Sequence, residues 1–266
     1  MQSFSQDIAI SNLSRQFRRA DGQEVAALDG VSVTIAAGEF VCLVGPSGCG
    51  KTTLLQILAG LMRPSYGTVT AHGRPVQGPG PERGVVFQKD SVFPWMRVVE
   101  NVEYGLKCRG VARAERRATA LHYLERVGLT RVAQAWPREL SGGMLKRVAI
   151  ATVFANGADM LMLDEPFGAL DYVTRHQLHD VLLDLWLDRE GGRRRTVIFV
   201  THDVDEALIL ADRILVFRAG RMVDDLAVSL RKPRTADDLV EPELVGHRHR
   251  LLQHLGLVRD RSAAAG

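Results

Sequence analysis

The residues with the clearest chemical pattern are the glycine-rich stretch Gly45-Pro46-Ser47-Gly48-Cys49-Gly50-Lys51-Thr52. It fits the pattern G-x-x-x-x-G-K-[ST], and it lies between an apolar, strand-like run and a helical stretch. Glycines let backbone N–H groups converge on phosphate oxygens, and the positive end of the following helix adds to the attraction. We expect Lys51 to reach the β- and γ-phosphates of a nucleotide and Thr52 to offer its hydroxyl to Mg²⁺. The alternative is a simple glycine turn.

A second pair of reactive residues, Asp164 and Glu165, ends the apolar run Met160–Leu163. Such a strand places Asp164 at the carboxyl edge of a sheet, where open α/β sheets bind their ligands. We expect Asp164 to hold Mg²⁺ and Glu165 to polarise an attacking water. An acidic strand end alone would be an ordinary solvated end, but together with the glycine-rich stretch it predicts a P-loop nucleotide hydrolase.

The stretch Leu140-Ser141-Gly142-Gly143 narrows the class of hydrolase. Ser141 suits a helix N-cap, and the two glycines after it leave backbone amides open. Its position shortly before the acidic strand resembles the signature motif of the ATP-binding cassette (ABC) family. A P-loop kinase is the alternative class, but it would explain neither this motif nor His202.

The resemblance covers residues 7–225 and implies roles for further residues. Gln88 matches the Q-loop, which touches Mg²⁺ and water. His202 matches the switch histidine that contacts the γ-phosphate. Phe17 lies where the family places an aromatic that stacks on adenine, although a packed or exposed loop aromatic is the alternative. The implied catalytic set is Glu165, His202, Gln88 and Lys51; the implied ATP contacts are Phe17, residues 45–52 and Thr53; the implied Mg²⁺ ligands are Thr52, Gln88 and Asp164.

The resemblance also implies head-to-tail dimers, in which ATP lies between the glycine-rich stretch of one subunit and the signature motif of the other. Ser141, Gly142 and Gly143 would then contact the partner's nucleotide, together with Asp171 of the D-loop-like stretch Gly168-Ala169-Leu170-Asp171. Exposed amides at a helix N-terminus suit a γ-phosphate, and one subunit alone does not complete the charge cage.

The signature motif departs from the family's common form at Met144, Leu145, Lys146 and Thr152. The family usually has Gln where this chain has Met144, and Met there resembles the branch of nitrate, sulfonate and taurine importers. Lys146 stands where that branch often has Gln. The resemblance implies a motor subunit that works with two permease subunits and a separate solute-binding protein, and Phe93-Pro94-Trp95 would either grip the permease or pack the helical lobe.

Alternating apolar and helical runs predict an α/β fold with a largely parallel core sheet, an N-terminal antiparallel β subdomain and an inserted helical subdomain. We expect the cassette to span residues 1–230, the helical subdomain about 91–158, and a short helical tail 231–266. Within these, the sequence predicts a turn cluster at residues 63–67, a buried strand at 84–87 and an amphipathic helix at 112–127. The basic groups Arg193–Arg195 and Arg231–Arg234 predict solvated turns. His247 and His249 predict a surface helix rather than a metal site.

Composition places the chain among ordinary globular proteins, with 46% apolar and 24% charged residues and a net charge of only +3. That charge does not favour nucleic acid. Three cysteines without C-x-x-C spacing favour a reducing compartment. Neither a secretory signal nor an apolar run of about 18 residues is visible, so we expect any membrane role to come through a partner. The resemblance implies a peripheral protein at the cytoplasmic face of the inner membrane. The alternative is a cassette ATPase that works away from membranes, for example in iron–sulfur cluster assembly.

Overall fold

The computed structural model describes residues 7–18, 22–89, 91–168, 170–187 and 194–258. Strands are β1 (Ile8–Arg18), β2 (Glu24–Ile35), β3 (Phe40–Val44), β4 (Tyr66–Ala71), β5 (Arg74–Pro75), β6 (Arg83–Val86), β7 (Met160–Asp164), β8 (Thr196–Thr201), β9 (Arg213–Arg218) and β10 (Arg221–Ala227). Helices are α1 (Lys51–Leu58), α2 (Val98–Cys108), α3 (Arg113–Arg126), α4 (Gly142–Ala155), α5 (Tyr172–Leu187), α6 (Val204–Leu210) and α7 (Pro242–His254). The chain divides into two compact units, residues 1–79 with 196–266, and residues 80–195.

The first unit contains the predicted antiparallel sheet, with strand order β2-β1-β4-β5. Ile8 of β1 faces Ile35 on one side and Ala71 on the other. Apolar residues at strand period turn inward, so Ile8 and Leu13 are buried. The sequence placed Tyr66 and Gly67 in a turn cluster, which is wrong, because both belong to β4 and Tyr66 pairs with Ser14 of β1.

The first unit also contains parallel pairing around β3, as predicted. β3 pairs in parallel with β8 and with β9, and β10 runs antiparallel to β9. All five residues of β3 are buried, as expected of a strand covered on both faces. This arrangement brings the carboxyl ends of β3 and β8 to the same edge, because Val44 faces Thr201.

The second unit combines one parallel strand pair with helices α2 to α5. β6 and β7 pair so that Val86 faces Leu163. The strand β6 ends at Val86, so the expectation that Phe87 is buried within it is wrong, and that side chain is 41% exposed. The amphipathic helix predicted over residues 112–127 is confirmed as α3, which buries Ala120 and Leu124.

The segment after Arg231 differs from the solvated basic turn that the sequence predicted. Arg234 is 2% exposed, and the side chain of Lys232 is 5% exposed. The Arg234 guanidinium donates to the carbonyls of Leu208 and Ala211 at 2.6 and 2.7 Å, where α6 ends. Carbonyls at a helix end have no partner within the helix, so a buried cation that satisfies them is stable there.

Parts of some predictions lie outside the described residues, namely residues 1–6, Ala169, Arg193 and 259–266. His247 and His249 lie on α7, which confirms the predicted helix. The boundaries of the cassette, its helical subdomain and its tail stay predictions. No helix in the described part of the chain has the length and apolar character needed to cross a bilayer.

Candidate nucleotide site

The glycine-rich loop connects β3 to α1 in the first unit, as predicted. Gly48 and Gly50 have φ angles of 78° and 107°, which side-chain-bearing residues rarely adopt. A Cβ atom on Gly45 would lie 2.3 Å from the carbonyl oxygen of Phe217, and one on Gly50 would lie 2.2 Å from that of Ala27. Packing therefore requires glycine at positions 45 and 50, in addition to any requirement set by a phosphate that binds the loop.

Lys51 begins α1 and folds back over this loop. It is 5% exposed, and its Nζ donates to the carbonyls of Gly45 at 2.6 Å and Pro46 at 3.1 Å. Among the described residues, no side chain caps the N-terminus of α1 at Gly50. A buried ammonium beside uncapped helix amides is an arrangement suited to an anion such as phosphate. Thr52 is exposed and Thr53 half-buried in the first turn of the same helix.

Phe17 lies near the end of β1, and 37% of it is exposed. The guanidinium of Arg15, two residues earlier on the same strand, lies 4.8 Å from the centre of the ring. The ring is thus neither buried in the core nor on a loop. Arg15 contacts one face by a cation–π interaction, which the sequence did not predict.

His202 follows β8 at the edge where β3 also ends. The preceding Thr201 is buried and the imidazole itself is exposed. The Asp203 carboxylate accepts hydrogen bonds from the amides of Asp205 and Glu206 at 3.0 and 3.1 Å, which caps α6. The backbone on both sides of His202 is therefore fixed, by a strand before it and a capped helix after it.

Asp164 and Glu165 lie at the end of β7 in the second unit. Asp164 is the last residue of the strand and is 8% exposed. Glu165 has a φ of 43°, a left-handed conformation that costs a residue with a Cβ atom roughly 1–2 kcal/mol. Strain of this kind persists where the surrounding structure fixes it, and it is concentrated at functional sites.

Gln88 contacts Glu165 directly. Its Nε2 donates a hydrogen bond to Oε2 of Glu165 at 3.2 Å. The backbone carbonyl of Gln88 accepts a 2.7 Å hydrogen bond from Nζ of Lys146. The structure thus joins two of the predicted catalytic residues and adds a lysine that the sequence had marked only as a departure from the family.

The signature motif begins α4, with Ser141 as the N-cap that the sequence predicted. Its Oγ accepts from the Met144 amide at 3.3 Å, a contact worth about 1 kcal/mol to a helix. Ser141 and Gly142 are exposed, whereas Gly143 is buried. A Cβ atom on Gly143 would lie 2.6 Å from Cγ2 of Thr174, so this glycine allows α4 to approach α5.

Asp171 lies at the start of α5 and is fully exposed. Its carboxylate accepts a hydrogen bond from the Thr174 amide at 3.0 Å. This backbone hydrogen bond is the main cause that lowers the pKa of Asp171, so the group is an anion at neutral pH. Thr174 therefore contacts both Asp171 and the α4 region of the signature motif.

A groove of about 660 Å³ lies beside α4 in the second unit. Its lining residues are Ser91, Val92, Phe93, Pro94, Trp95, Pro137, Arg138, Gly142, Leu145, Lys146 and Ala149. Trp95 is 67% exposed, so it does not pack the interior of the unit. Phe93 is half-buried, and its ring lies 4.8 Å from that of Tyr104.

The remaining departures from the family pattern have ordinary roles in α4. Leu145 lines the groove. The Thr152 hydroxyl donates to the Val148 carbonyl one turn earlier at 2.8 Å, which satisfies this half-buried group within the helix. Neither residue takes part in the hydrogen bond between Ser141 and the Met144 amide that caps α4.

Comparisons with known proteins agree with this geometry. The family model described as "ABC transporter" matches residues 28–168. The nitrate import ATP-binding protein NrtD of Synechocystis is 46% identical over 225 residues, covering 84% of this chain and 83% of NrtD. The taurine import ATP-binding protein TauB of Rhizobium johnstonii is 48% identical over 218 residues, covering 81% and 82%.

A solved structure is also similar. The dimeric ATP-binding cassette MJ0796, in a post-hydrolysis state bound to ADP and Pi, aligns with a TM-score of 0.71 and 30% identity, covering 84% of this chain and all of that one. The family match extends over more than half of the chain, and the relatives over most of it. This chain therefore belongs to the ABC transporter family, as one of its ATP-binding, ATP-hydrolysing subunits.

Proposed function

We propose that this chain drives an importer of a small anionic solute such as nitrate, a sulfonate or taurine. The names of its relatives support this solute class. So does the importer-like residue Met144, which stands after the signature glycines. In this proposal the chain works at the cytoplasmic face of the inner membrane, with two permease subunits and a separate solute-binding protein.

In the first unit, the glycine-rich loop binds the phosphates of ATP. Lys51 turns from the carbonyls that hold it and places its ammonium on the β- and γ-phosphates. The uncapped amides of α1 add further donors. Phe17 stacks on adenine with the ring face that Arg15 does not contact. His202 stabilises the γ-phosphate from the end of β8.

In the second unit, Glu165 orients and polarises the water that attacks the γ-phosphate. Asp164 and Gln88, together with Thr52, would hold Mg²⁺, and their carboxylate, amide and hydroxyl oxygens are the hard donors that this ion prefers. The ion, when bound, neutralises charge on the phosphate oxygens. Gln88 keeps Glu165 in place through its 3.2 Å hydrogen bond. Loss of one such stabilising group typically lowers turnover about 10²–10³-fold.

A second cassette completes the catalytic unit. Dimeric cassettes are known among similar structures. Ser141 and Gly142 expose the N-terminus of α4, and the buried Gly143 follows them in the helix. These three residues would contact the ATP held by the partner chain, with Asp171 beside them. Two cassettes close on two ATP molecules, and hydrolysis lets them reopen.

The groove beside α4 is the observation that carries the proposal of a membrane partner. It is lined largely by apolar side chains, and a tryptophan that is 67% exposed lies at its side. Exposed tryptophans of this kind are enriched at protein interfaces. The occupant proposed is a short helix from the cytoplasmic side of a permease subunit. The Lys146 side chain also lines the groove, and it is hydrogen-bonded to Gln88. A single residue therefore connects the groove to Gln88.

Purification from membranes tests this function. A tagged chain, expressed in its own cells and extracted in mild detergent, should retain two permease subunits. Trp95→Ala should lose them, because it removes the exposed aromatic side chain of the groove. Tyr66→Ala is the matched control, since Tyr66 is 63% exposed on β4 and lies outside the groove. The proposal would be contradicted if the wild type were recovered with no membrane protein. It would also be contradicted if the wild type, Trp95→Ala and Tyr66→Ala retained equal amounts of the permease subunits.

A further inference from the structure

Lys146 has a contact that its position in the sequence does not suggest. It lies in the second turn of α4, the helix that begins at the signature motif. Its Nζ donates to the backbone carbonyl of Gln88 at 2.7 Å. Gln88 lies beyond the end of β6, where no strand pairing holds the chain. A charge-assisted hydrogen bond to this carbonyl therefore fixes a segment that the sheet does not.

Gln88 is thus held at two points. Lys146 holds its backbone, and Oε2 of Glu165 accepts from its side-chain amide at 3.2 Å. Glu165 itself adopts the left-handed φ of 43°, a conformation that depends on support from neighbouring groups. A shift of the Gln88 backbone would move the amide away from the carboxylate. The three residues form a continuous path from α4 to the end of β7.

The same lysine lines the groove. Its neighbours there include Leu145 and Ala149 of α4 and the aromatic pair Phe93 and Trp95. The lysine is half-buried, so its aliphatic stem contributes to the groove while its charged end reaches Gln88. Lys146 therefore contacts both the groove and the segment that contains Gln88.

We propose that Lys146 is a positioning residue for ATP hydrolysis, which sets the Gln88–Glu165 contact by holding the backbone of Gln88. The inference rests on the proposed role of Glu165. Lys146 does not touch the nucleotide in this account, so it governs the rate of hydrolysis and not the affinity for ATP. A lysine that served only the stability of α4 would change the free energy of unfolding and leave turnover per folded molecule unchanged.

The test compares Lys146→Met, Lys146→Arg and the wild-type full-length protein in steady-state ATPase assays. Methionine keeps the aliphatic stem and removes the donor, whereas arginine keeps a cationic donor. Lys107→Met is the matched control, because Lys107 is an exposed lysine on α2, within the same unit. Thermal unfolding of each variant establishes that the assays compare folded protein.

We expect Lys146→Met to lower kcat about fivefold with KM for ATP little changed, as suits the loss of one partly exposed charge-assisted hydrogen bond. Lys146→Arg should keep most of the activity, and Lys107→Met all of it. Hydrogen–deuterium exchange should become faster in the peptide that contains Gln88 in Lys146→Met alone.

Three results would overturn the inference: an unchanged kcat in Lys146→Met, a KM that rises as far as kcat falls, or unchanged exchange around Gln88. A Glu165→Gln protein that keeps wild-type turnover would instead contradict the proposed role of Glu165, on which the inference rests. The two failures are therefore distinguishable in one set of measurements.

Discussion

The side-chain amide of Gln88 donates a 3.2 Å hydrogen bond to the carboxylate of Glu165. This contact links the segment after β6 to the strained residue that follows β7. A glutamine at position 165 would keep a carbonyl oxygen as acceptor while it removes the negative charge. Glu165→Gln therefore separates the hydrogen bond with Gln88 from the negative charge of the carboxylate.

Lys51→Ala should weaken nucleotide binding. It removes the buried cation of the glycine-rich loop, so that this loop binds the phosphates with its backbone amides alone. Isothermal titration with ATP in the presence of Mg²⁺ should show affinity at least about tenfold weaker than that of the wild type, a loss of roughly 1.4 kcal/mol. Lys107→Ala, at an exposed position on α2, should bind as the wild type does. Equal affinity in the Lys51 variant would remove the phosphate assignment.

Arg234→Met should destabilise the fold without touching catalysis. The guanidinium donates to the carbonyls of Leu208, Ala211 and Leu230 at 2.6, 2.7 and 2.9 Å. Its loss leaves buried acceptors unpaired, which should cost about 2–4 kcal/mol of unfolding free energy. Chemical denaturation measures this. Arg231→Met, at an exposed position, is the control and should change the midpoint little. Equal denaturation midpoints for Arg234→Met and Arg231→Met would show that the hydrogen bonds of Arg234 do not stabilise the fold.

Lys232 gives the unfolding free energy a dependence on pH. Burial lowers the pKa of Lys232 from 10.5 to about 8, against the opposing effect of the Asp212 carboxylate at 2.8 Å. The unfolded chain therefore binds this proton more tightly between these two pH values. The contribution of Lys232 to the free energy of unfolding therefore rises as pH increases from 8 to 10.5, by about 3 kcal/mol at most.

Denaturation of the wild type and of Lys232→Met at pH 7 and pH 10 isolates this effect, because other titrating groups are common to both proteins. We expect the stability of the wild type, relative to the variant, to increase at the higher pH. Methionine keeps an apolar stem of similar length and removes Nζ, which lies 4.8 Å from the centre of the Phe40 ring. A difference between the proteins that is the same at both pH values would show that Lys232 does not titrate as described.

The local motifs could be predicted from the sequence because each has a strict backbone requirement. The glycine-rich loop, the Ser141 N-cap and the strand that ends at Asp164 all follow from residue type and spacing. Their order along the chain also predicted the family, which the comparisons confirm.

Contacts between distant parts of the chain could not be predicted in this way. Arg234 is buried although arginine is usually exposed, because the end of α6 supplies carbonyls from residues more than twenty positions earlier. Tyr66 and Gly67 have the composition of a turn, yet both belong to β4, where Tyr66 pairs with Ser14 of β1. Lys146 stands where the importer branch often has Gln, and only the folded chain brings its Nζ to the carbonyl of Gln88.

The turnover of Glu165→Gln tests the central claim most directly. The full-length variant should bind ATP with near-normal affinity, because Glu165 is not assigned to binding, and its ATPase rate should fall about 10²–10³-fold. With hydrolysis blocked, ATP and Mg²⁺ should drive it into a dimer that is visible by size-exclusion chromatography. A Glu165→Gln protein that hydrolyses ATP at close to the wild-type rate would contradict the account.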